Sequence, residues 1–293
     1  MLPIVGNLGD EALVASLIED HEIEAIIHFA SSTSVPESMK DPLGYFRNNT
    51  ANSRVLIEAA VKGSVRHFIF SSTTAVYGNA KRMPVAEEHP TVPLSPYGWS
   101  KLMTEIMLRD ASAAHDLRHV ALRYFNVAGA DPQMRTGLWT PGASHLIKVA
   151  AEAALGRLER IDVYGSDYPT PDGTCIRDFI HVSDLVRAHL AALAYLREGS
   201  ASATLNCGYG RGYAVREVLD AVRRAVGHKF AANYAPRRHG DVVVSIVATG
   251  RIRERLRWTP ELDNLDAIVR NVIAWERRLM TERGTSGREA ISA

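Results

Sequence analysis

Apolar residues follow two different rhythms in the first half of the chain. Short, mostly apolar runs are typical of strands that are buried on both faces of a parallel sheet; they span residues 25–30, 65–70 and 119–124. Before and between these runs, apolar residues recur every three or four positions, as in amphipathic helices; these stretches span residues 10–20, 42–62 and 97–115. Strands that alternate with helices predict an α/β fold built on a doubly wound parallel sheet.

The pattern changes after Gly129, where a stretch rich in glycine, proline and threonine predicts a long loop at residues 131–144. Shorter strands and helices follow, which predicts a second, smaller α/β domain. Predicted helices span residues 145–155, 184–196, 215–226 and 265–280, and predicted strands span residues 161–164, 176–182 and 204–207. We therefore expect domains at 1–128 and 129–280, with the helix near 183–196 packing back on the first, and a frayed tail at 281–293.

Composition and charge exclude several classes of function. The chain has 293 residues and a formal net charge of +1, with both signs mixed, so neither nucleic acid nor an anionic membrane is an expected partner. Cys175 and Cys207 form neither a disulfide framework nor a metal-ligand set, so no metal site is predicted. The sequence contains no apolar run long enough to span a bilayer and does not open like a signal peptide, which predicts a cytoplasmic protein.

Small polar residues follow three of the predicted strands. Residues 31–34 come after the first run, residues 71–74 after the second, and Asn126 after the third. Each cluster alone is ordinary, because such residues are common in loops. In parallel α/β sheets, however, ligands bind at the carboxyl ends of the strands. Three polar clusters at successive strand ends therefore predict a ligand crevice there.

A tyrosine and a lysine lie four residues apart in the segment SPYGWSK, residues 95–101. On a helix this spacing places Tyr97 and Lys101 on one face. A free phenol has a pKa of ~10, and a neighbouring ammonium favours the phenolate and lowers that pKa. The pair is thus a candidate general acid and base. A tyrosine and a lysine with this spacing are more often a plain surface pair, so the rest of the chain has to support the assignment.

Six segments carry a family resemblance. They are AIIHFA (25–30), FSSTTAVYG (70–78), SPYGWSK (95–101), LRYFNVAG (122–129), YGSDYPTPDGTCIRDFIHV (164–182) and APRRHGD (235–241). Over residues 4–280 the chain resembles the UDP-glucose 4-epimerase family of the extended short-chain dehydrogenase/reductase superfamily. The tyrosine–lysine spacing marks only the superfamily, whereas the segment at 164–182 is much more specific. The resemblance implies a Rossmann-like first domain and a nucleotide-sugar-binding second domain.

The resemblance also implies a reaction. In this family, bound NAD takes a hydride from carbon 4 of UDP-glucose or UDP-galactose, the keto-sugar rotates, and the hydride returns to its other face. Tyr97 would take the proton from the hydroxyl on carbon 4. Lys101 would lower the pKa of Tyr97 and bind the nicotinamide ribose. Thr73 would hydrogen-bond to the substrate oxygen; without the family motif, we would interpret it as a strand-end residue that bonds to its own backbone.

Further binding residues are carried over by position in the matching segments. The resemblance implies that the NAD contacts are Asn7, Leu8, Phe29, Ala30, Ser31, Asn48, Ser71, Tyr97, Lys101 and Tyr124. It implies that the UDP-sugar contacts are Thr73, Asn126, His145, Asp162, Val163, Tyr164, Arg177, Arg238, Asp241 and Ser245. Arginine suits a diphosphate because its planar guanidinium can bond two oxygens at once.

The chain departs from the family pattern in its cofactor region. Asn7 stands where an aspartate is usual, and Thr33 stands where a lysine often reaches the cofactor. No glycine-rich turn with its strand and helix precedes Ile4, so the pyrophosphate site of the family is not recognisable. We expect from this an N-terminally truncated cofactor domain that folds poorly and retains little NAD.

Several alternatives stay open. A 4,6-dehydratase is disfavoured because Thr74 and Ala75 stand where those enzymes carry an acidic pair, but a pentose 4-epimerase is not excluded, and neither is a non-catalytic remnant. Ser245 lies where the family varies between a bulky and a small residue near the C2 substituent of the sugar, so UDP-N-acetylhexosamines are also candidate substrates. The resemblance further suggests a homodimer formed through the helices at 42–62 and 98–115.

Overall fold

The computed structural model describes residues 2–140, 142, 144–238 and 241–289, and the side chains up to residue 282. Its strands are β1 (Ala25–His28), β2 (His67–Thr73), β3 (Arg118–Tyr124), β4 (Val127–Ala128), β5 (Ile161–Tyr164), β6 (Ile176–Asp178), β7 (Ile180–His181), β8 (Ala203–Asn206), β9 (Gly212–Ala214), β10 (Ala232–Ala235) and β11 (Val244–Ser245). Its helices are α1 (Glu11–Asp20), α2 (Val35–Lys40), α3 (Pro42–Tyr45), α4 (Asn52–Lys62), α5 (Pro96–Ala114), α6 (Leu146–Ala154), α7 (Val182–Arg197), α8 (Val215–Val226), α9 (Gly250–Leu256) and α10 (Leu265–Glu289).

The chain divides into two compact units that interleave along the sequence. The first unit comprises Met1–Phe125, Arg187–Cys207 and Ala248–Trp258, and the second comprises Asn126–Val186, Gly208–Val247 and Thr259–Ala293. Most of α7 therefore groups with the first unit. The assignment of one region to the cofactor and the other to the nucleotide-sugar stays a prediction.

The first unit is built on a parallel sheet in the order β1-β2-β3-β8. The prediction of an α/β fold with a parallel central sheet is confirmed. Phe68, Phe70 and Ala121 are fully buried between the sheet and the helices, and Leu108 from α5 packs into the same cluster. This core holds the carboxyl ends of β2 and β3 in fixed positions beside α5.

Two details of this sheet differ from the expectation. Residues 71–73 were predicted to follow a strand, but they are the last residues of β2, because each lies opposite a partner in β3. The predicted burial on both faces holds for β2 and β3, whereas Ala25–Ile27 of β1 are only half-buried. Among the described residues β1 pairs with β2 alone, so it is an edge strand of this sheet.

The start of α5 follows from its sequence. The Ser95 hydroxyl accepts a hydrogen bond from the Gly98 backbone, and Pro96 occupies the first turn, where its missing N–H costs nothing. The helix then runs to Ala114 with one face buried against the sheet. The segment predicted as one helix at 42–62 consists of α3, a π-helical turn at Phe46–Ala51, and α4.

The described residues of the second unit form three small sheets and a layer of helices. The sheets pair β4 with β7, β5 with β10, and β6 with both β9 and β11, and the helices α6, α8 and α10 pack on one another. The tail was predicted to fray from residue 281, but α10 continues to Glu289. An ion pair between Arg278 and Glu282 at 2.7 Å joins two successive turns of α10 where this extension begins. Residues 290–293 of the predicted tail lie outside the described residues.

None of the described helices is both long enough and apolar enough to cross a membrane.

Candidate active site

Tyr97 and Thr73 come together at the carboxyl end of β2. Tyr97 lies in the first turn of α5 and is half-buried, and Thr73 is the last residue of β2. Their side chains are hydrogen-bonded to each other, which favours the phenolate of Tyr97. The Thr73 hydroxyl also accepts a hydrogen bond from the Ala75 backbone at 3.2 Å, as the structural interpretation of this residue requires. Thr73 is thus anchored locally while facing the tyrosine.

Lys101 lies one helical turn beyond Tyr97, and its side chain is buried. Its ammonium donates a hydrogen bond to the Ser71 carbonyl at 2.9 Å and stands 5.0 Å from the centre of the Phe70 ring. Burial lowers the pKa of Lys101 to about 7, against the opposing effect of the Glu105 carboxylate. Near neutral pH the Lys101 side chain therefore exists in both its protonated and its neutral form.

The electrostatics of Tyr97 differ from the expectation. Burial is the largest effect and raises the pKa of Tyr97, and only the Thr73 hydrogen bond acts in the opposite direction. The predicted lowering by Lys101 is not seen, because its ammonium is directed at the Ser71 carbonyl. Burial destabilises the charged phenolate by more free energy than its one hydrogen bond from a neutral hydroxyl restores, so the pKa rises.

A second group of predicted residues surrounds Ser71. The Ser71 hydroxyl lies 3.0 Å from Nε2 of His189 on α7 and is also hydrogen-bonded to Tyr124. Burial raises the pKa of Tyr124 to about 12, so this phenol stays protonated. The Phe29 ring lies 4.6 Å from the His189 ring and leaves about half of its own surface exposed. Sequence reasoning missed His189, because it comes from α7, far away in the chain.

The remaining predicted cofactor residues lie near β1 and α4. Asn7 accepts hydrogen bonds from the Gly9 backbone at 2.8 Å and from Asn52 at 3.2 Å, and Asn48 donates to the Ser32 hydroxyl at 3.0 Å. The Leu8 side chain packs against the core cluster of the first unit. The Ser31 hydroxyl is buried and has no hydrogen-bond partner within the part of the chain that the structure describes. Ala30 precedes Ser31 and is exposed.

In the second unit, Arg238, Asp241 and Tyr164 form one cluster. The Arg238 guanidinium lies 4.5 Å from the centre of the Tyr164 ring and forms an ion pair with Asp241 at 3.1 Å. Tyr164 and Asp162 point outward from β5, whereas Val163 is buried in the core. The Asp162 carboxylate accepts a hydrogen bond from Asn233 at 2.8 Å. The structure thus places Tyr164, but not the Val163 side chain, where a ligand could reach it.

Arg177 and Ser245 lie opposite each other on the neighbouring strands β6 and β11. The Arg177 guanidinium donates to the Ile176 carbonyl at 2.9 Å, which fixes its direction. The pairing of β6 with β11 brings together two predicted substrate residues that are far apart in the sequence. Both are half-buried, so each retains an accessible surface.

Asn126 and His145 line a cavity of about 290 Å³ in the second unit. The Asn126 side chain donates to the Asp178 carbonyl at 2.9 Å. Burial and the nearby Lys148 lower the pKa of His145, so the imidazole is neutral at pH 7. The lining also includes Leu146, Lys148, Phe179, Trp275 and Glu276, which sequence reasoning did not assign to the site.

Charged side chains form an ion-pair network at this cavity. Lys148 and Arg157 both bond to the buried Glu276 carboxylate, at 2.5 and 2.8 Å. A buried cation needs such partners, because an uncompensated one is strongly destabilising. Of these residues, Phe179 lies in the family segment at 164–182 and Lys148 lies one turn after His145, so both could have been found from the sequence. No cluster of three metal-ligating side chains occurs among the described residues.

A parallel α/β sheet with a tyrosine–lysine pair beside a strand-end threonine is the arrangement of the short-chain dehydrogenase/reductase class. The chain belongs to the family described as the NAD dependent epimerase/dehydratase family, whose model matches residues 3–208. The resemblance stated from the six sequence segments is thereby confirmed.

The relatives that this chain is similar to carry consistent names. The UDP-glucose 4-epimerase of Azospirillum brasilense is 53% identical over 293 residues, which is 100% of this chain and 84% of the relative. A UDP-glucose 4-epimerase structure from Brucella ovis in complex with NAD is 40% identical, with a TM-score of 0.90 over 92% of this chain and 83% of that one. The UDP-Glc/GlcNAc 4-epimerase structure from Campylobacter jejuni is 47% identical, with a TM-score of 0.81 over 93% of this chain and 83% of that one.

Proposed function

We propose that this chain is a UDP-glucose 4-epimerase that interconverts UDP-glucose and UDP-galactose with NAD. The observation that carries the proposal is the hydrogen bond between Thr73 and Tyr97, with Lys101 one helical turn away. Family membership and the names of the relatives support the same reaction.

The residues of the first unit fit a dinucleotide. The buried Ser31 hydroxyl lacks a hydrogen-bond partner among the described residues, and a ligand atom would satisfy it. The exposed Phe29 ring offers an apolar face, and Lys101 offers a cation. Ala30, Asn48, Ser71 and Tyr124 would complete the contacts, while Asn7 and the backbone of Leu8 would face the adenine. Bound NAD would accept a hydride from carbon 4 and return it.

Side chains of this chain would move the proton of the carbon 4 hydroxyl and stabilise the charge that develops on its oxygen. Tyr97 would take the proton from the hydroxyl on carbon 4, while Thr73 would donate a hydrogen bond to the same oxygen as charge develops there. The raised pKa of Tyr97 makes the phenolate a strong base once it is formed. The Lys101 cation would stabilise that phenolate in the water-poor setting that burial provides.

The second unit would hold the UDP part of the substrate. Arg238 and Arg177 are the cations for the diphosphate, and Asp241 is a candidate acceptor for a ribose hydroxyl. Tyr164 and Asp162 would face the uracil, with the Val163 backbone between them. Asn126 and His145 line the neighbouring cavity and would meet the diphosphate side.

The direct test measures conversion of UDP-galactose to UDP-glucose by the purified chain with NAD supplied. We expect turnover that disappears without NAD. The competing function, a nucleotide-sugar-binding module without catalysis, predicts UDP-sugar binding without turnover at any NAD concentration. Nicotinamide absorbance of the purified protein separates weak NAD binding from a lack of chemistry.

Ser245 supports a broader substrate range. It lies on β11 opposite Arg177, and its small side chain would leave room for an N-acetyl group on carbon 2. We expect Ser245→Tyr to lower kcat/KM for UDP-N-acetylglucosamine by about 10-fold or more relative to UDP-glucose, because a bulky ring excludes the larger substrate. The ratio of the two kcat/KM values is the measurement, with Ser245→Ala as the control. An unchanged ratio in Ser245→Tyr would contradict the assignment.

We also propose that the chain forms a homodimer through α4 and α5. Ile57 and Val61 of α4 and Ile106 and Met107 of α5 line a surface groove of about 460 Å³. Trp99 and Met103 add exposed apolar surface on α5. Charges of both signs rim the groove, namely Arg54, Glu58, Lys62 and Asp110, and this pattern suits a self-complementary two-fold contact.

Ile106→Asp is expected to convert the dimer to a monomer, because it places a charge in the apolar centre of that contact. Light scattering coupled to gel filtration gives the mass directly. Leu158→Asp is the matched control, since Leu158 is also exposed but belongs to the second unit. A dimer that survives Ile106→Asp unchanged would exclude this surface.

A further inference from the structure

Glu105 lies directly behind the catalytic pair on α5. Tyr97, Lys101 and Glu105 are spaced four residues apart and so share one face of the helix. Glu105 is buried, and none of the roles assigned above uses it. A buried carboxylate on the same face as a buried catalytic lysine calls for an explanation.

The Glu105 carboxylate is fully engaged. Its Oε1 accepts hydrogen bonds from the Ser72 hydroxyl and from Nε of Arg123 at 2.9 Å, and its Oε2 accepts from Nη2 of Arg123 at 2.5 Å. This is the bidentate geometry in which a buried carboxylate and a guanidinium bind most strongly. Arg123 continues to the Tyr77 hydroxyl at 2.9 Å, and Tyr77 donates to Asn206 at 2.7 Å.

These contacts join the two elements that carry the catalytic groups. Ser72 lies between Ser71, whose carbonyl accepts from Lys101, and Thr73, which bonds to Tyr97. Glu105 therefore fastens the end of β2 to α5 at the residue between the two contacts of the site. A shift of α5 along β2 would have to break the Glu105 contacts first.

The charges of this region give Glu105 a second effect. Lys101 and Arg123 are both buried cations, and Glu105 is the carboxylate that faces them. Among the described residues His28 on β1 also interacts with Lys101 electrostatically, and Tyr97 on α5 and Tyr124 on β3 are the titratable groups that bond to the neighbouring residues Thr73 and Ser71. The pKa of His28 is lowered to about 4 by burial, so this histidine is neutral at pH 7. The pKa values of both tyrosines are raised, so neither contributes a resting negative charge there.

We propose that Glu105 is a positioning residue that sets the place of Lys101 relative to Thr73 and keeps the Lys101 side chain cationic. The proposal rests on the proposed function for its catalytic meaning, whereas the charge of Lys101 can be measured without turnover. Arg123 holds the Glu105 carboxylate in place and so acts with it. The sequence offers no motif for this pair, because its two members are 18 residues apart on different elements.

The test compares Glu105→Gln with wild-type protein in two measurements. The first follows the pH titration of the Lys101 resonance in protein labelled with [13Cε]lysine, assigned by its loss in Lys101→Arg. We expect the midpoint to fall by about one pH unit, because the cation loses its facing carboxylate. The second is the pH profile of kcat with NAD supplied, whose Lys101-dependent limb should move the same way.

Thr104→Val is the matched control, because Thr104 is buried on the same helix and the change is also nearly isosteric. We expect it to leave the Lys101 midpoint unchanged. Glu105→Asp keeps the charge and should retain a midpoint near the wild-type value.

Glu105→Gln leaves the buried Arg123 guanidinium without its carboxylate partner and so threatens folding. If it does not fold, the double variant Glu105→Met/Arg123→Leu takes its place, since replacing a whole buried ion pair by apolar residues is often tolerated. The Lys101 midpoint should again fall, by less than in the single variant.

An unchanged Lys101 midpoint in whichever variant folds would overturn the proposal. So would a loss of activity that is equal at every pH, because a purely structural role would produce it. A chain that shifts the Lys101 midpoint but never turns over UDP-glucose would uphold the inference and refute the proposed function instead.

Discussion

Tyr97→Phe is expected to lower kcat by about 10²–10⁴-fold while KM for UDP-glucose changes little. Among the described residues, the phenol is the group hydrogen-bonded to Thr73 that could take a proton from the sugar hydroxyl, and phenylalanine keeps the ring but not the acid. Binding would be preserved, because the proposed UDP contacts at Arg177, Arg238 and Asp241 are untouched. The measurement is steady-state epimerisation of UDP-galactose with NAD supplied.

Tyr45→Phe provides the matched control. Tyr45 is a buried tyrosine of the same unit, and its hydroxyl is also hydrogen-bonded, accepting from the Ser34 backbone at 2.9 Å. Its removal should leave kcat within about threefold of wild type if stability is unaffected. A Tyr97→Phe enzyme that retained wild-type kcat would show that another group takes the proton.

The sequence was sufficient for the elements that position these groups. The apolar runs predicted β2 and β3, and the helical spacing at residues 97–115 predicted α5, because both patterns are local. The rule that ligand-binding residues collect at the carboxyl ends of parallel strands predicted a crevice at residues 71–74, whereas the roles of Thr73 and Tyr97 came from the family resemblance. Local pattern, fold class and resemblance together therefore predicted the proposed catalytic residues.

Interactions between distant segments were not predictable in the same way. The bond from Lys101 to the Ser71 carbonyl depends on how closely α5 packs on β2, and no residue spacing encodes that distance. The contact of Ser71 with His189 joins segments that are far apart in the chain. How deeply β1 is buried depends on which strands lie beside it. Its apolar sequence predicts that both faces can be buried, but not that they are.

The buried charge of Lys101 links activity to stability. Its pKa is about 7 in the folded chain, compared with the ordinary value of 10.5. Between these two pH values the unfolded chain binds a proton that the folded chain does not. The free energy of unfolding therefore rises with pH across this window, and near pH 7 the lysine destabilises the fold. Burying Lys101 beside Tyr97 lowers the stability of the fold, so its presence there is best explained by a role in the reaction.

Lys101→Met should therefore stabilise the protein at pH 7 while lowering kcat by about 10²-fold or more. The full pKa shift corresponds to about 5 kcal/mol, and loss of the hydrogen bond to Ser71 offsets part of it, so we expect a gain of about 2–4 kcal/mol. Urea unfolding of both proteins, repeated from pH 7 to pH 10, measures the difference. The gain should shrink as pH rises from 7 to 10, because the folded wild-type chain has released the Lys101 proton and the free energy of that release falls with rising pH.

The pH dependence separates this effect from simple repacking. A methionine that merely packed better would raise the free energy of unfolding equally at every pH, and a methionine that packed worse would lower it at pH 7; either result would contradict the prediction. Lys62→Met is the control, since Lys62 is exposed and pairs with Glu11 and Glu58 on the surface. With no burial penalty to relieve, it should show no gain that fades with pH. A gain confined to Lys101→Met would mean that the site retains this lysine at the expense of the stability of the fold.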